Sequence, residues 1–208
     1  MKKIITTLLI LCGIYSVASA QTRNTAEFGF DAGFNSSTVF YSNAQQHASY
    51  LGGENLGASL EYYFSDAWSL KAKVIYDQKG WGNGFITETN GSEVDGVDFH
   101  LNYITIPVMA NWHFGRGRNW YLNFGLYEGF LLNASESSNS VDLNNTFSST
   151  DFGVAYGIGV KLPLNNTVKL FFEYDGQVGA TNIFKVSDGD TYQTARESFN
   201  VGLNFAIK

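Results

Sequence analysis

A run of alternating apolar and polar residues from Asp151 to Gln177 constrains this chain more than any other feature. Its first arm has an apolar side chain at every second position, namely Phe152, Val154, Tyr156, Ile158, Val160 and Leu162. Residues 163–167 form a turn-like segment of Pro, Leu, Asn and Thr, and the alternation resumes from Val168 to Tyr174. Successive side chains of a strand point to opposite faces, so the pattern predicts a β-hairpin with one apolar and one polar face. Each arm has about the 9–11 residues that a tilted strand needs to cross a bilayer.

The N-terminus has the pattern of an export signal. Lys2 and Lys3 precede an apolar segment from Ile4 to Val17, and Ala18-Ser19-Ala20 has the small residues of a cleavage site. The apolar segment is too short for a transmembrane helix of about 20 residues. We therefore expect residues 1–20 to be a cleaved signal peptide and residues 21–208 to form one barrel domain. Cleavage removes the single cysteine of the chain, so the mature protein is expected to form no disulfide.

The composition favours an all-β fold and argues against nucleic acid as a partner. The chain contains 17 Phe, 12 Tyr and 22 Gly but only 2 Pro, and its periodicity is that of strands, with no amphipathic helix. Loss of Lys2 and Lys3 changes the formal net charge from −6 to −8. An acidic chain without basic clusters lacks the surface that binds phosphate backbones.

The same alternation predicts eight strands, joined alternately by long loops and short turns. The predicted strands are approximately residues 25–34, 56–64, 68–77, 99–114, 120–129, 151–162, 168–177 and 198–207. The predicted long loops are residues 35–53, 79–98, 133–150 and 179–194. Outer-membrane barrels have an even strand number and this alternation of short periplasmic turns with longer extracellular loops. A closed sheet also pairs every backbone group within lipid. We therefore predict an eight-stranded antiparallel up-and-down transmembrane β-barrel.

Two positions depart from the regular pattern. In the fourth strand, Phe99 and Leu101 fall on the opposite phase to the apolar residues that begin at Ile104. Pro107 in the same strand lacks the N–H that a closed ladder uses, so we expect a bulge or local break there. In the fifth strand, Glu128 falls on the apolar face and is expected to mark the water boundary.

The polar faces of the strands indicate which side of the sheet faces lipid. They carry carboxylates and lysines interleaved with glycines, and the interior of an eight-stranded barrel is just wide enough for side chains to fill. We therefore expect a barrel-interior charge network of Glu61, Lys71, Lys73, Asp151, Lys161, Lys169, Glu173 and Asp175. The functional interpretation of this network is an ion path or proton relay, and the simpler one is a paired network that fills the lumen. We favour the second, because eight strands leave no aqueous channel.

On the apolar face, aromatic residues near the strand ends are expected to form the interfacial girdle of a membrane barrel. They are Trp68, Tyr76, Trp112, Trp120 and Tyr174.

The chain offers little that resembles catalytic chemistry. His47 lies near Ser42 and Ser49, and His100 lies near Asp98, but no spacing defines a nucleophile and its base, and no Gly-x-Ser-x-Gly occurs. Asp188-Gly189-Asp190 lacks the later ligands of a calcium loop. We therefore predict no catalytic, cofactor-binding or metal site.

Aromatic and apolar residues in otherwise polar loops are the remaining candidates for function. They could form a contact surface for a ligand or partner, or they could fold over the barrel mouth as a lid. The residues concerned are Trp81, Phe85, Ile183, Phe184 and Tyr192.

Short motifs in strands four to seven resemble the PorT-like outer-membrane β-barrel family of the Bacteroidetes. Tyr103-Ile104-Thr105-Ile106-Pro107-Val108 resembles the Tyr-x-x-Ile-Pro-Leu strand of that family, and Gly125 to Leu132 resembles its next strand. The segments Asp151 to Gly159 and Glu173 to Ile183 resemble its last third. The resemblance implies an outer-membrane barrel of a Gram-negative bacterium, and one member of the family belongs to a secretion apparatus.

We therefore expect a non-enzymatic protein of the cell outer membrane. It would contact membrane lipid and act through its extracellular loops or as a membrane-embedded subunit, with protein partners at the loops or in a secretion complex. Two alternatives remain open: an outer-membrane lipid-modifying enzyme, and a secreted soluble barrel that binds a small ligand in its interior.

Overall fold

The period-two pattern of the sequence is realised as eight antiparallel strands that close into a barrel. The computed structural model describes residues 23–41, 48–87, 91–138, 143–186 and 190–207. The predicted signal peptide, His47, Asp188 and Gly189 lie outside these ranges.

The strands are β1 (Thr25–Tyr41), β2 (Leu51–Tyr63), β3 (Trp68–Thr87), β4 (Glu93–Phe114), β5 (Trp120–Glu136), β6 (Thr150–Pro163), β7 (Val168–Gly179) and β8 (Tyr192–Ile207). None of the described residues forms a helix long and apolar enough to span a membrane.

Each strand pairs with its neighbours in sequence, and β1 pairs with β8 to close the ring. Paired residues can be followed once round the barrel through Glu27, Glu61, Lys71, Met109, Gly125, Ala155, Gln177 and Arg196. The next partner, on β1 again, is Ser37, ten residues beyond the starting point. A stagger of this size requires strands tilted by about 40° from the barrel axis. The result is a narrow barrel whose lumen side chains can reach across.

The two ends of the barrel differ. Connections 64–67, 115–119 and 164–167 are short and lie at one end with residues 23 and 207; we call this the turn end. The opposite end, which we call the loop end, carries connections 42–50, 88–92, 137–149 and 180–191.

The strands extend much further towards the loop end than the alternation predicts. β3 has 20 residues and β4 has 22, about twice what a bilayer requires. The predicted loop at 79–98 is therefore wrong, since only residues 88–92 lie between the two strands. Beyond the lipid the outer face needs no apolar side chains, so the alternation disappears while the backbone ladder continues.

The local break expected at Pro107 in β4 is present, and it leaves the register of the strand unchanged. The β3–β4 pairing passes from Ala72–Val108 to Ile75–Thr105 in constant register and skips the positions opposite Pro107 and Ile106. Buried positions alternate without interruption from Val97 to His113, so Phe99 and Leu101 point into the lumen. They are apolar because the lumen itself becomes apolar at the loop end.

Inside the barrel, aromatic rings lie directly on glycines of neighbouring strands. A Cβ atom on Gly159 would lie 2.3 Å from the ring of Tyr121, and one on Gly202 would lie 2.6 Å from the ring of Phe171. Both rings are fully buried. The glycines therefore provide the space that lets large side chains fit in so narrow a lumen.

The outer face carries the apolar residues, as predicted. Phe30, Leu60 and Leu126 are each more than half exposed in the isolated chain. This belt continues on β5 beyond Glu128, through Phe130 and Leu132, so Glu128 does not mark its end. Of the predicted girdle, Trp68, Trp112 and Trp120 lie at the turn end, whereas Tyr76 and Tyr174 lie well inside β3 and β7.

Candidate functional site

The lumen contains four hydrogen-bonded ionic networks, beginning with one at the turn end. Lys161 Nζ lies 2.8 Å from Glu27 Oε2 and 2.5 Å from Glu61 Oε2, and it also contacts the hydroxyl of Tyr63. Lys169 forms a second ion pair with Glu27. Each carboxylate is therefore paired with a cation despite its burial, which is the condition for a charge to be tolerated away from water.

His113, one residue before the end of β4, extends this turn-end network. Its Nε2 atom lies 2.9 Å from both Ser69 Oγ and Glu61 Oε1. A Ser-His-acid triad uses the two ring nitrogens separately, one for the acid and one for the serine. Here both partners share Nε2, and Nδ1 has no partner among the described residues. The three side chains are almost completely buried, so the arrangement is structural and offers no nucleophile to a substrate.

The second network lies further along the lumen and is centred on Glu173. Its carboxylate accepts hydrogen bonds from Lys71 at 2.7 Å, Lys73 at 3.1 Å and Tyr121 Oη at 2.8 Å. Lys73 also pairs with Asp31 at 3.0 Å. These contacts link side chains from four strands (β1, β3, β5 and β7) across the lumen. Together the side chains fill the lumen at this level.

Arg196 forms the third network, between the carboxylates of Asp77 and Asp175. Its Nε atom lies 3.2 Å from Asp77 Oδ1, and Nη1 donates to Asp175 Oδ1. Asn35 donates to the same Asp77 oxygen at 3.0 Å. Arg196 precedes the predicted start of the last strand, so the charge network inferred from sequence did not contain it. The alternation could have identified Arg196 as a lumen residue, because it lies two positions before Ser198, which faces inward.

The fourth network lies nearest the loop end and is centred on Asp151. Tyr127 Oη and Thr194 Oγ1 donate to Asp151 Oδ2 at 3.0 and 2.8 Å, and Lys79 Nζ lies 3.4 Å from the same oxygen. Lys79 was assigned to a loop from sequence, yet it continues the inward phase of Lys71 and Lys73 along β3.

All eight residues of the predicted interior network thus lie in the lumen, and the structure places each of them in an ion pair. The four networks contain seven carboxylates and six Lys or Arg side chains: Glu27, Asp31, Glu61, Asp77, Asp151, Glu173 and Asp175 with Lys71, Lys73, Lys79, Lys161, Lys169 and Arg196. A cavity between Ile75, Met109 and Gln177 has a volume of about 10 Å³, room for about one water molecule. Because nearly all side chains of the four networks are also buried, the described lumen is filled rather than channel-like.

An apolar cluster, which we call the cap, closes the loop end of the lumen. Its buried members are Val39, Trp81, Val97, Phe99, Leu101, Tyr103, Ala134, Phe147 and Ile183. The Trp81 ring stacks on Phe99 at 4.7 Å and meets Phe147 and Phe184 edge-on. Two loops cover the mouth together, because Ser148 N donates to the carbonyl of Ile183 and Lys185 N to that of Thr146.

The cap corrects the hypothesis of an aromatic contact surface on the loops. Trp81 and Ile183 are buried, and Phe184 and Tyr192 pack against the cluster from its edge. Of the five residues only Phe85 is largely exposed, at 62%. Aromatic residues in a polar loop are therefore compatible with a contact surface and with a lid over the barrel mouth. In this structure most of the five residues form the lid.

The described residues provide no metal cluster. They contain no group of three His, Cys, Asp or Glu side chains that could hold a metal ion. His100 lies on the outer face of β4, exposed and paired in the ladder with Gly80 and Ser135, away from the buried serine at position 69.

Comparison with known proteins agrees with this architecture. A family model described as "Outer membrane protein beta-barrel domain" matches residues 19–185. The structure resembles OprG from Pseudomonas aeruginosa with a TM-score of 0.51 and 14% identity, covering 91% of this chain and 99% of that one. The N-terminal β-barrel domain of OprF from Pseudomonas aeruginosa gives 0.49 and 13%, covering 90% and 100%. Neisserial surface protein A gives 0.49 and 18%, covering 86% and 96%.

No curated protein matches the chain. The match to the family model spans most of the sequence and ends just before β8. An integral barrel of the outer membrane, this protein belongs to the outer membrane protein beta-barrel domain family.

Proposed function

We propose that this protein is a non-enzymatic outer-membrane barrel that conducts no solute and acts through its extracellular end. The observation that carries the proposal is the filled and capped lumen. Four ionic networks span the interior, and the cap covers them at the loop end. Short turns of such barrels face the periplasm and loops face outward, so the surface available to a partner is the loop end.

The charge of the loop end indicates the kind of partner it would accept. Among the described residues that are not buried, it carries Glu93, Asp95, Asp98 and Asp190, against Lys185 as the cation. Exposed apolar side chains lie among them, with Phe85 at 62% and Val186 at 85% exposure. A protein partner with a basic surface and a small apolar contact fits this combination, and salt would weaken its association.

A more specific version of this role follows from the PorT-like motifs. Tyr103 to Val108 and Gly125 to Leu132 lie on the adjacent strands β4 and β5, where they pair with each other. We infer on this basis that the protein is a PorT-like barrel and a membrane-embedded subunit of a secretion complex. Crosslinking in intact outer membranes followed by mass spectrometry tests this role, and recovery of the barrel without a second protein would contradict it.

The absence of conduction is tested by planar-bilayer recordings of the purified barrel beside a general porin. The filled lumen predicts no unitary current steps from this protein under conditions in which the porin produces them. Reproducible steps that require the folded protein would overturn the proposal, because they would demonstrate an open path through the networks.

The lipid-modifying alternative has a separate test. Replacement of His47 and His100 by Ala is expected to leave the lipid A and phospholipid profiles of the cell unchanged. A changed profile in either variant would indicate an enzyme.

A further inference from the structure

The turn end of β3, β4 and β5 combines tryptophan and arginine in a way that the rest of the barrel lacks. Trp68, Trp112 and Trp120 all lie at the turn end of their strands, on the outer face, and each is between 37% and 45% exposed. Trp68 and Trp112 are partners in the β3–β4 ladder, with ring centroids 6.5 Å apart. The Trp112 ring stacks on Phe114 at 5.1 Å, and Phe114 in turn is the ladder partner of Trp120. Ring contacts thus join Trp68, Trp112 and Phe114, and Trp120 lies opposite Phe114 on β5, so the aromatic surface extends over three adjacent strands.

Two arginines lie in the turn that joins this surface. Arg116 follows Phe114 by two residues and is exposed; Arg118 precedes Trp120 by two residues and is partly exposed. Positive φ angles at Gly115 and Arg118, with a hydrogen bond from Arg118 N to the Gly115 carbonyl, define the turn. Arg118 has one acidic neighbour, Asp66, at 3.3 Å, and both side chains remain substantially exposed.

The other short turns provide an internal comparison. Residues 164–167 are Leu, Asn, Asn and Thr, and residues 64–67 contain Asp66 but no cation. Arg23 also lies at the turn end, before β1, but the three tryptophans of this end lie on β3, β4 and β5. Among the described residues, tryptophan and arginine therefore occur together on one side of the barrel only. A girdle that merely positions the barrel at the interface would not require this asymmetry.

We propose that this surface, formed by Trp68, Trp112, Trp120, Arg116 and Arg118, is a binding site for an anionic phospholipid of the periplasmic leaflet. The guanidinium groups bind the headgroup phosphate, since their planar donors match phosphate oxygens and exposed turns project into the headgroup layer. The indole rings lie at the level where the headgroup meets the acyl chains. Charge complementarity selects a lipid with net negative charge, because a zwitterionic headgroup brings its own cation close to the arginines.

Tryptophan quenching by brominated lipid tests the site with the full-length mature protein. The barrel is reconstituted in phosphatidylcholine vesicles that contain increasing fractions of brominated phosphatidylglycerol or, in parallel, brominated phosphatidylcholine. The three interfacial tryptophans report contact with the brominated chains, whereas Trp81 lies buried in the cap. We expect brominated phosphatidylglycerol to associate at least about five-fold more strongly than phosphatidylcholine, which is the factor for one basic side chain close to a lipid surface; Arg118, which already pairs with Asp66, adds less than a full second factor.

Variants and salt separate the arginines from general effects of the membrane. The double substitution R116Q/R118Q is expected to reduce the preference to about one, whereas R23Q, at the same end but away from the tryptophans, retains it.

Addition of 0.5 M salt is expected to lower the wild-type preference, because exposed charges are screened at that ionic strength. A heat-dependent shift on gels verifies that each variant forms the barrel. Equal quenching by the two lipids in the wild-type protein, or a preference that survives R116Q/R118Q, would overturn the proposal.

Discussion

Glu173 illustrates how a single buried carboxylate connects the lumen of this barrel. It accepts hydrogen bonds from Lys71, Lys73 and Tyr121. Replacement by Ala leaves Lys71 without its carboxylate, and Lys73 retains only Asp31. Removal of one partner from a buried ionic network costs about 3–5 kcal/mol. We expect Glu173→Ala to lower the free energy of unfolding in lipid vesicles by this amount, measured by urea titration of tryptophan emission.

The matched control for that variant is Glu54→Ala, which removes an exposed carboxylate from β2. A surface change of this kind alters stability by about 0.5 kcal/mol or less. Coincident urea midpoints for the two variants would show that the lumen network contributes nothing to stability.

Gly159 provides a second prediction for a single residue, based on space rather than charge. An added Cβ would lie 2.3 Å from the ring of Tyr121, which is fully buried and held by its hydrogen bond to Glu173. We expect Gly159→Ala to destabilise the barrel by about 1–3 kcal/mol, as overpacked cores do. Gly52→Ala is the comparison, since nothing lies within 4 Å of its added Cβ. Equal stability of the two alanine variants in the same titration would contradict the proposed fit between ring and glycine.

At the level of strands and loops, the cap should respond to substitution independently of the barrel. Trp81 contacts Phe99, Phe147 and Phe184, whereas Phe85, four residues later on the same hairpin, is largely exposed. We expect Trp81→Ala to loosen the loop segments 143–149 and 180–186, which carry Phe147 and Phe184, and to leave the transmembrane strands folded. Limited proteolysis of the reconstituted protein should then cleave these loops several times faster.

Phe85→Ala is expected to retain the wild-type cleavage rate, and both variants should retain the heat-dependent gel shift. Unchanged protection in Trp81→Ala would mean that the loops are held over the mouth by contacts other than the Trp81 ring.

Strand number, order and facing were predictable because lipid imposes an apolar residue at every second position. The strand ends were not, and Lys79 and Trp81 show why. Both continue the inward phase of β3, but Gly80 between them and Gly82 after them carry no side chain, so no alternation of apolar and polar residues marks this part of the strand. The same loss of pattern hid Arg196 at the start of β8. Residues that face the lumen could be recognised because they occupy every second position of a strand. Which charged residues pair with each other could not, because that depends on the ten-residue stagger between the ends of the closed sheet, which no local sequence pattern reveals.

The whole molecule separates its charges by environment. The lumen networks are nearly neutral, the described loop end is acidic, and the turn end carries Arg23, Arg116 and Arg118 against Asp66. The mature net charge of −8 expected from the sequence therefore reflects mainly the surface that faces outward. A neutral, filled interior between two oppositely charged ends agrees with a protein whose interactions occur at its ends and not through its lumen.

Surface labelling tests this division in one experiment. Lys185 is the exposed lysine of the described loop end, where its Nζ donates to the carbonyl of Asn144 at 3.0 Å. Lys71, Lys73, Lys79 and Lys161 are buried. A membrane-impermeant amine reagent applied to intact cells should therefore modify Lys185 and leave the lumen lysines unmodified, and Lys185→Arg should abolish labelling of the barrel in intact cells. Heat-denatured protein serves as the control, since all lysines then become reactive. Modification of Lys71 or Lys73 in intact cells would show that water and solutes enter the lumen, and the barrel would then have to be regarded as a channel.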